Sequence, residues 1–121
     1  MIYLDHNATT PVAPEVRAEM ADCLERAFGN PSSIHALGQE ARRIIDRARE
    51  SVARLIGAQP EEIVFTGGGT EANNLAIFGA VRSRDPGSAH IITTAIEHQA
   101  VLNPCRRLET TGCVATYLGV E

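Results

Sequence analysis

Glu62-Ile63-Val64-Phe65-Thr66-Gly67-Gly68-Gly69-Thr70-Glu71 is the stretch that decides the fold. A short β-branched and aromatic run breaks into three consecutive glycines, and a hydroxyl residue then opens a helical pattern. Glycines let successive backbone N–H groups turn toward one point without a Cβ penalty. The helix that follows adds its unpaired first-turn donors and the positive end of its dipole. The order predicts a strand, an anion cradle sized for a phosphate and a helix, with the Thr70 hydroxyl as a further donor. One glycine would serve an ordinary tight turn, and three raise the backbone entropy lost on folding, which favours the cradle. Gly67-x-Gly69-x-x-Ala72 matches a dinucleotide fingerprint only formally, because no acidic residue ends the next strand where a ribose partner belongs.

All eleven basic residues of the 121-residue chain are Arg, and there is no Lys. A P-loop is thereby excluded, since that motif needs a Lys to reach the outer phosphates. Against 15 acidic residues the net charge is −4, without a long like-charge block, so nothing recommends nucleic acid or an anionic membrane as partner. The longest apolar stretches, such as Leu75 to Ala80, are too short to span a bilayer, and Met1 to Leu4 runs into Asp5 rather than an apolar signal core. A soluble cytoplasmic protein is expected.

Outward from the glycines, the pattern predicts a helix over 70–82, a turn at Asp85-Pro86-Gly87, a strand over 90–94, a helix over 99–110 and a strand over 114–118. Such alternation argues for an α/β parallel sheet. Pro104 inside the last helical pattern predicts a kink or an irregular first turn. Upstream, Pro14 opens a helix carrying Val16, Met20, Cys23, Leu24 and Ala27 on one stripe, and Gly29 stops it. A second stripe runs through Ala41, Ile44, Ile45, Ala48, Val52, Leu55 and Ile56 and ends at Gly57. The loop Asn30-Pro31-Ser32-Ser33-Ile34-His35 joins the two helices. Three strands are few for this class, and the third is followed at once by residues 119–121, so the pattern predicts an N-terminal piece with an incomplete sheet.

His98 lies four residues beyond the 90–94 strand, at the carboxyl edge of a parallel sheet, where it can face whatever the cradle holds. His6, His35 and His90 show no metal-ligand spacing, and no metal site is expected. Cys23, Cys105 and Cys113 form neither a CxxC pair nor an even disulfide framework, which suits a reducing compartment. Each reads as a small buried hydrophobe. Cys105 also stands near Arg106 and Arg107, which would favour a thiolate, but its place on a stripe with Val101 and Leu108 favours burial. Composition leaves open whether the polar segment from Asp5 to Pro11 is a loose arm or lines a site or subunit contact.

Four motifs carry a resemblance that covers residues 2–121. Tyr3-Leu4-Asp5-His6-Asn7-Ala8-Thr9-Thr10-Pro11, Phe28-Gly29-Asn30-Pro31-Ser32-Ser33-Ile34-His35, Glu62 through Asn74, and Glu97-His98-Gln99-Ala100-Val101-Leu102 together resemble the cysteine desulfurases of iron–sulfur cluster assembly. The resemblance implies a class V, fold-type I transferase that uses pyridoxal 5′-phosphate to convert L-cysteine to L-alanine and an enzyme persulfide. It implies that 1–60 form an N-terminal arm and two helices and that 61–121 begin the cofactor-binding sheet of the large domain. Gly69 and Thr70 are implied to bind the cofactor phosphate, and His98 to contact the pyridine ring and assist proton transfers. A homodimer that delivers sulfur to a scaffold protein is implied for the complete enzyme. Gly67 departs from the Ser common in the family, leaving only a backbone role there.

The family's Schiff-base lysine, its pyridine-pairing aspartate, its substrate-binding arginine and its persulfide cysteine all lie later than residue 121. With no Lys side chain, these 121 residues alone are expected to be inactive. The family topology also inserts later strands between the one before the glycine turn and the next two. Other readings are a selenocysteine lyase or aminotransferase of the same class, or a non-catalytic binding module.

Overall fold

The computed structural model describes residues 2–83 and 86–120. They fall into two compact units, Met1–Val64 and Phe65–Glu121.

In the first unit, helix α1 spans Pro14–Arg26 and helix α2 spans Ala36–Ile56. Proline at the first position of α1 suits a residue with no N–H to lose. His35 caps α2 by accepting the Gly38 N–H on its Nδ1 at 3.4 Å, and Gly57 closes the helix in the left-handed conformation (φ 71°). The loop between the helices lies directly on the first turn of α2. A Cβ built on Gly38 would stand 2.5 Å from the Ser33 carbonyl oxygen and 2.6 Å from that of Asn30, so only glycine fits. Beyond α2, Gln59 and Glu62 cap a single 3-10 turn, Pro60–Glu62, and Arg49 donates to the Ile63 carbonyl at 2.5 Å. The Asp5–Pro11 segment is folded locally: the Tyr3 hydroxyl donates to the carbonyls of Asp5 and Thr9, and the Tyr3 and His6 rings meet edge-on.

The apolar stripe of α1 forms as a stripe but buries nothing: Val16, Met20 and Leu24 are exposed, and no residue of the helix is buried. Cys23 is therefore half-buried rather than the buried hydrophobe its spacing suggests. The same shortfall marks α2, where Ala41 and Ala53 are buried but Leu55 and Ile56 are open.

The second unit is a βαβ arrangement preceded by a helix. Helix α3 spans Gly69–Arg82, strand β1 His90–Thr94, helix α4 Gln99–Glu109 and strand β2 Val114–Leu118. The strands pair in parallel, His90 with Val114 through Thr94 with Leu118. The expected strand before the glycines is a correction. Ile63 is extended (φ −93°, ψ 124°), yet 63–66 joins neither strand, and the sheet of the described residues has two strands. Composition makes a segment competent for a strand, but only a neighbouring ladder makes it one. The turn expected at Asp85-Pro86-Gly87 begins outside the described residues, and a short 3-10 turn, Pro86–Ser88, leads into Ala89.

Val81, Ala89, Leu108 and Cys113 form the core, with Ile77, Phe78 and Ile91 packed against it. The opposite sheet face carries Ile92, Val114 and Leu118, all at least half exposed. Helix α4 runs through Pro104, whose ring is buried; the Ala100 carbonyl loses its helical donor, and the irregularity appears in the first turn, where His98 O accepts from both Val101 and Leu102. No helix of the described residues is long and apolar enough to cross a membrane.

Gly38→Ala forces backbone against backbone, and is expected to destabilise the protein by about 2 kcal/mol, read as a lower midpoint in urea. A polypeptide of these 121 residues alone is expected to aggregate through the edges of its two-stranded sheet, and a cooperative, reversible thermal melt would contradict this.

Candidate active site

The glycine turn is held open. Gly68, extended at φ 164°, is the N-cap of α3 and offers no side-chain acceptor, so the N–H groups of Gly69, Thr70 and Glu71 project from the helix start without a capping side chain. A Cβ on Gly68 or Gly69 would meet nothing within 4 Å, so the turn borders open space on the side where those side chains would stand. Thr66 Oγ1 donates to the Gly68 carbonyl at 3.2 Å. The Glu71 carboxylate turns back and accepts the Gly67 N–H at 2.6 Å.

A second helix start lies at the same cavity. His98 is the N-cap of α4, in extended conformation, and its Nδ1 accepts the Ala100 N–H at 3.0 Å. Nδ1 is thus an acceptor, and in the neutral ring the proton sits on Nε2. A cavity of about 470 Å³ between α3 and α4 is lined by Thr70, Asn74 and Phe78 from one helix and by His98, Asn103 and Arg107, with Gln99, Ala100 and Pro104, from the other. Of the residues the sequence singled out, Thr70 and His98 share this cavity; Gly69 adjoins Thr70 in the chain and is not part of the lining.

The sequence reading missed Asn74, Phe78, Asn103 and Arg107. The signal was available: 70, 74 and 78 are spaced four apart, as are 103 and 107, so each set lies on one helix face. Asn74 is held by donating Nδ2 to the Thr70 carbonyl at 2.8 Å. Arg106 reaches Gln99 and Asn103 instead.

The other candidate groups have local duties. His6 Nδ1 pairs with Thr10 Oγ1 at 3.2 Å, and His90 Nε2 with Thr116 Oγ1 at 2.8 Å across the strands. No cluster of metal-ligating side chains occurs among the described residues. Cys105 is fully buried, and burial pushes its thiol up, with Cys113 and then Glu109 adding to the shift. The thiolate reading of Cys105 gives way to the packing reading. Cys113 is also buried and donates its thiol to the Ala89 carbonyl at 3.3 Å.

The aminotransferase class-V family model matches residues 2–121, and the chain belongs to that family. It is 51% identical over 120 residues to the cysteine desulfurase IscS of Dictyoglomus turgidum, covering 99% of this chain and 30% of that one. It is 52% identical to the putative cysteine desulfurase IscS 1 of Bacillus subtilis, covering 99% and 32%. Among solved structures, a NifS-like protein superposes with a TM-score of 0.84 at 38% identity, over 93% of this chain and 31% of the other. A structure described as SspA in complex with cysteine gives 0.81 at 46% identity, over 92% and 32%. The chain spans about a third of the length of these relatives.

Two measurements check this local chemistry. His98→Ala removes the cap of α4 and is expected to cost about 1 kcal/mol, whereas His98→Asn, which keeps a capping acceptor, should stay close to the native stability. Because the Cys105 thiol is raised in the folded state, the unfolded chain ionises first. Stability is therefore full below the ordinary thiol value of about 8.5 and falls as pH rises through it, and Cys105→Ala should flatten that slope in alkaline urea titrations.

Proposed function

We propose that the chain is the N-terminal, cofactor-side portion of a pyridoxal 5′-phosphate-dependent cysteine desulfurase. The enzyme would convert L-cysteine to L-alanine and hand the sulfur, as an enzyme persulfide, to a scaffold protein for iron–sulfur cluster assembly. The observation that carries this reading is the one cavity shared by Thr70, at the uncapped start of α3, and His98, which caps the start of α4. The desulfurase relatives, each matched over nearly all of this chain, support the same reaction, and the cysteine-bound SspA structure supports the substrate.

The residues present fit the cofactor. Open space above Gly68 and Gly69 admits a group that needs several N–H donors at once, as a phosphate does. Gly69 and Thr70 would hold that phosphate through first-turn amides and the Thr70 hydroxyl. When bound, the cofactor supplies an electron sink for bonds at the substrate's α-carbon. His98 is the ring-side residue: with Nδ1 engaged by Ala100, Nε2 is the atom that can give or take a proton at the cavity. The amine that anchors the cofactor and the persulfide cysteine belong to the remainder of the enzyme. The division into arm and helices over 1–60 and cofactor sheet from 61, the cytoplasmic location and the homodimer are parts of the same proposal.

The test uses the protein as produced from its gene. It should take up pyridoxal 5′-phosphate with a visible absorbance band that borohydride fixes to a lysine, and should release alanine from L-cysteine, with sulfide freed from the persulfide when a thiol reductant such as dithiothreitol is added. His98→Asn is expected to lower kcat about a hundredfold or more while leaving stability near native, which separates the proton-transfer role from the cap. Turnover of L-selenocysteine without L-cysteine would replace the reading with a selenocysteine lyase, and absence of any band would replace it with a binding module.

A further inference from the structure

The glycine turn raises a physical question that its ligand does not answer. Three consecutive glycines have the largest conformational freedom available to a chain, yet a cradle binds well only if its amides are already aimed. Side-chain packing gives no such aim at Gly68 and Gly69, where even an added Cβ would find nothing within 4 Å, while at Gly67 it would meet the Glu71 carboxylate at 3.2 Å. Side-chain capping does not either, because the N-cap of α3 is itself glycine. Among the described residues, the hydrogen bonds that hold the turn include the Ala72 N–H to the Gly68 carbonyl at 3.0 Å, the Thr66 hydroxyl to the same carbonyl at 3.2 Å, and the Gly67 N–H to the Glu71 carboxylate at 2.6 Å. Of these the last is the shortest, is charge-assisted, and ties the start of the turn to the helix beyond it.

The geometry points to Glu71 as a positioning residue that fixes the Gly67–Gly69 turn so that the amides of Gly69 and Thr70 face a phosphate. This rests on the cofactor reading above and deepens it. The arrangement has a tension that makes it testable. A carboxylate at this helix start is stabilised by the dipole, but its charge also repels a phosphate placed nearby. Clamping and repulsion act in opposite directions on affinity. Glu71→Gln keeps an oxygen acceptor for the Gly67 N–H and removes the charge; Glu71→Ala removes both.

The experiment compares pyridoxal 5′-phosphate with pyridoxal on the protein as produced from its gene, for the native protein and both variants. Covalent attachment through the aldehyde is common to the two probes, so the ratio of their dissociation constants isolates the phosphate. Glu71→Ala is expected to weaken the phosphorylated form about five- to tenfold and leave pyridoxal unchanged, while Glu71→Gln binds the phosphorylated form as tightly as native or tighter. Amide hydrogen exchange should give the same order, with Gly67 exchanging faster in Glu71→Ala than in Glu71→Gln. Equal weakening of both probes would overturn the proposal in favour of a general structural role. Tighter phosphate binding by both variants would overturn it in favour of a competing carboxylate. An unchanged Glu71→Ala in a native background that prefers the phosphorylated probe would also overturn it, leaving the cofactor reading intact. A native protein that binds both probes alike would overturn the cofactor reading and this proposal together.

Discussion

The parallel register of β1 and β2 is the constraint on which the second unit depends. Parallel neighbours cannot be joined by a hairpin, so the chain leaving Thr94 must cross back over the sheet before it enters Val114. Helix α4 is that crossover, and its start is fixed within a few residues of the carboxyl end of β1. His98 reaches the cavity because of this connection, not because of its own chemistry. Helix α3 packs beside α4 through Phe78 and the Val81–Leu108 core, bringing its own uncapped start to the same place. Two helix N-termini open on one cavity, and the positive ends of their dipoles are the kind of environment that favours an anionic ligand.

The elements of this unit were legible from local pattern. Both strands and helices α3 and α4 match the expected positions to within a residue or so, since glycines, proline and apolar periodicity mark their ends. The segment 63–66 shows where such reading stops. Its residues are as strand-competent as His90–Thr94, but pairing is a property of the neighbour and not of the segment. Burial is non-local in the same way. The stripe Val16, Met20, Leu24 specifies which face of α1 is apolar, while what covers that face lies beyond periodicity, and among the described residues those side chains are exposed.

At the site, Thr70 and His98 were legible because each follows a break that the sequence marks, a glycine run in one case and a strand end in the other. Asn74, Phe78, Asn103 and Arg107 were not, because mid-helix positions carry no punctuation and acquire meaning only when two helices are known to pack. Cys105 shows the converse. Neighbouring arginines suggested an activated thiol, but Arg106 is drawn to Gln99 and Asn103, and burial dominates the thiol. Sequence adjacency is a poor guide to electrostatics on a helix, where residues one apart point in different directions.

The chemistry of the donors bears on how such a site works. An ammonium would bring a full point charge to a phosphate and would have to be desolvated to do so; backbone amides bring partial charges already oriented by the helix. Affinity then depends less on charge than on how well the amides are aimed, and aim is what glycine by itself cannot supply. On the proposed cofactor reading, a cradle built on three glycines would place its weight on the few hydrogen bonds that shape the turn. Glu71 and Thr66 flank the glycines on either side and bond to backbone groups within them, so on that reading the precision of the cradle would be carried by side chains that need not touch the ligand.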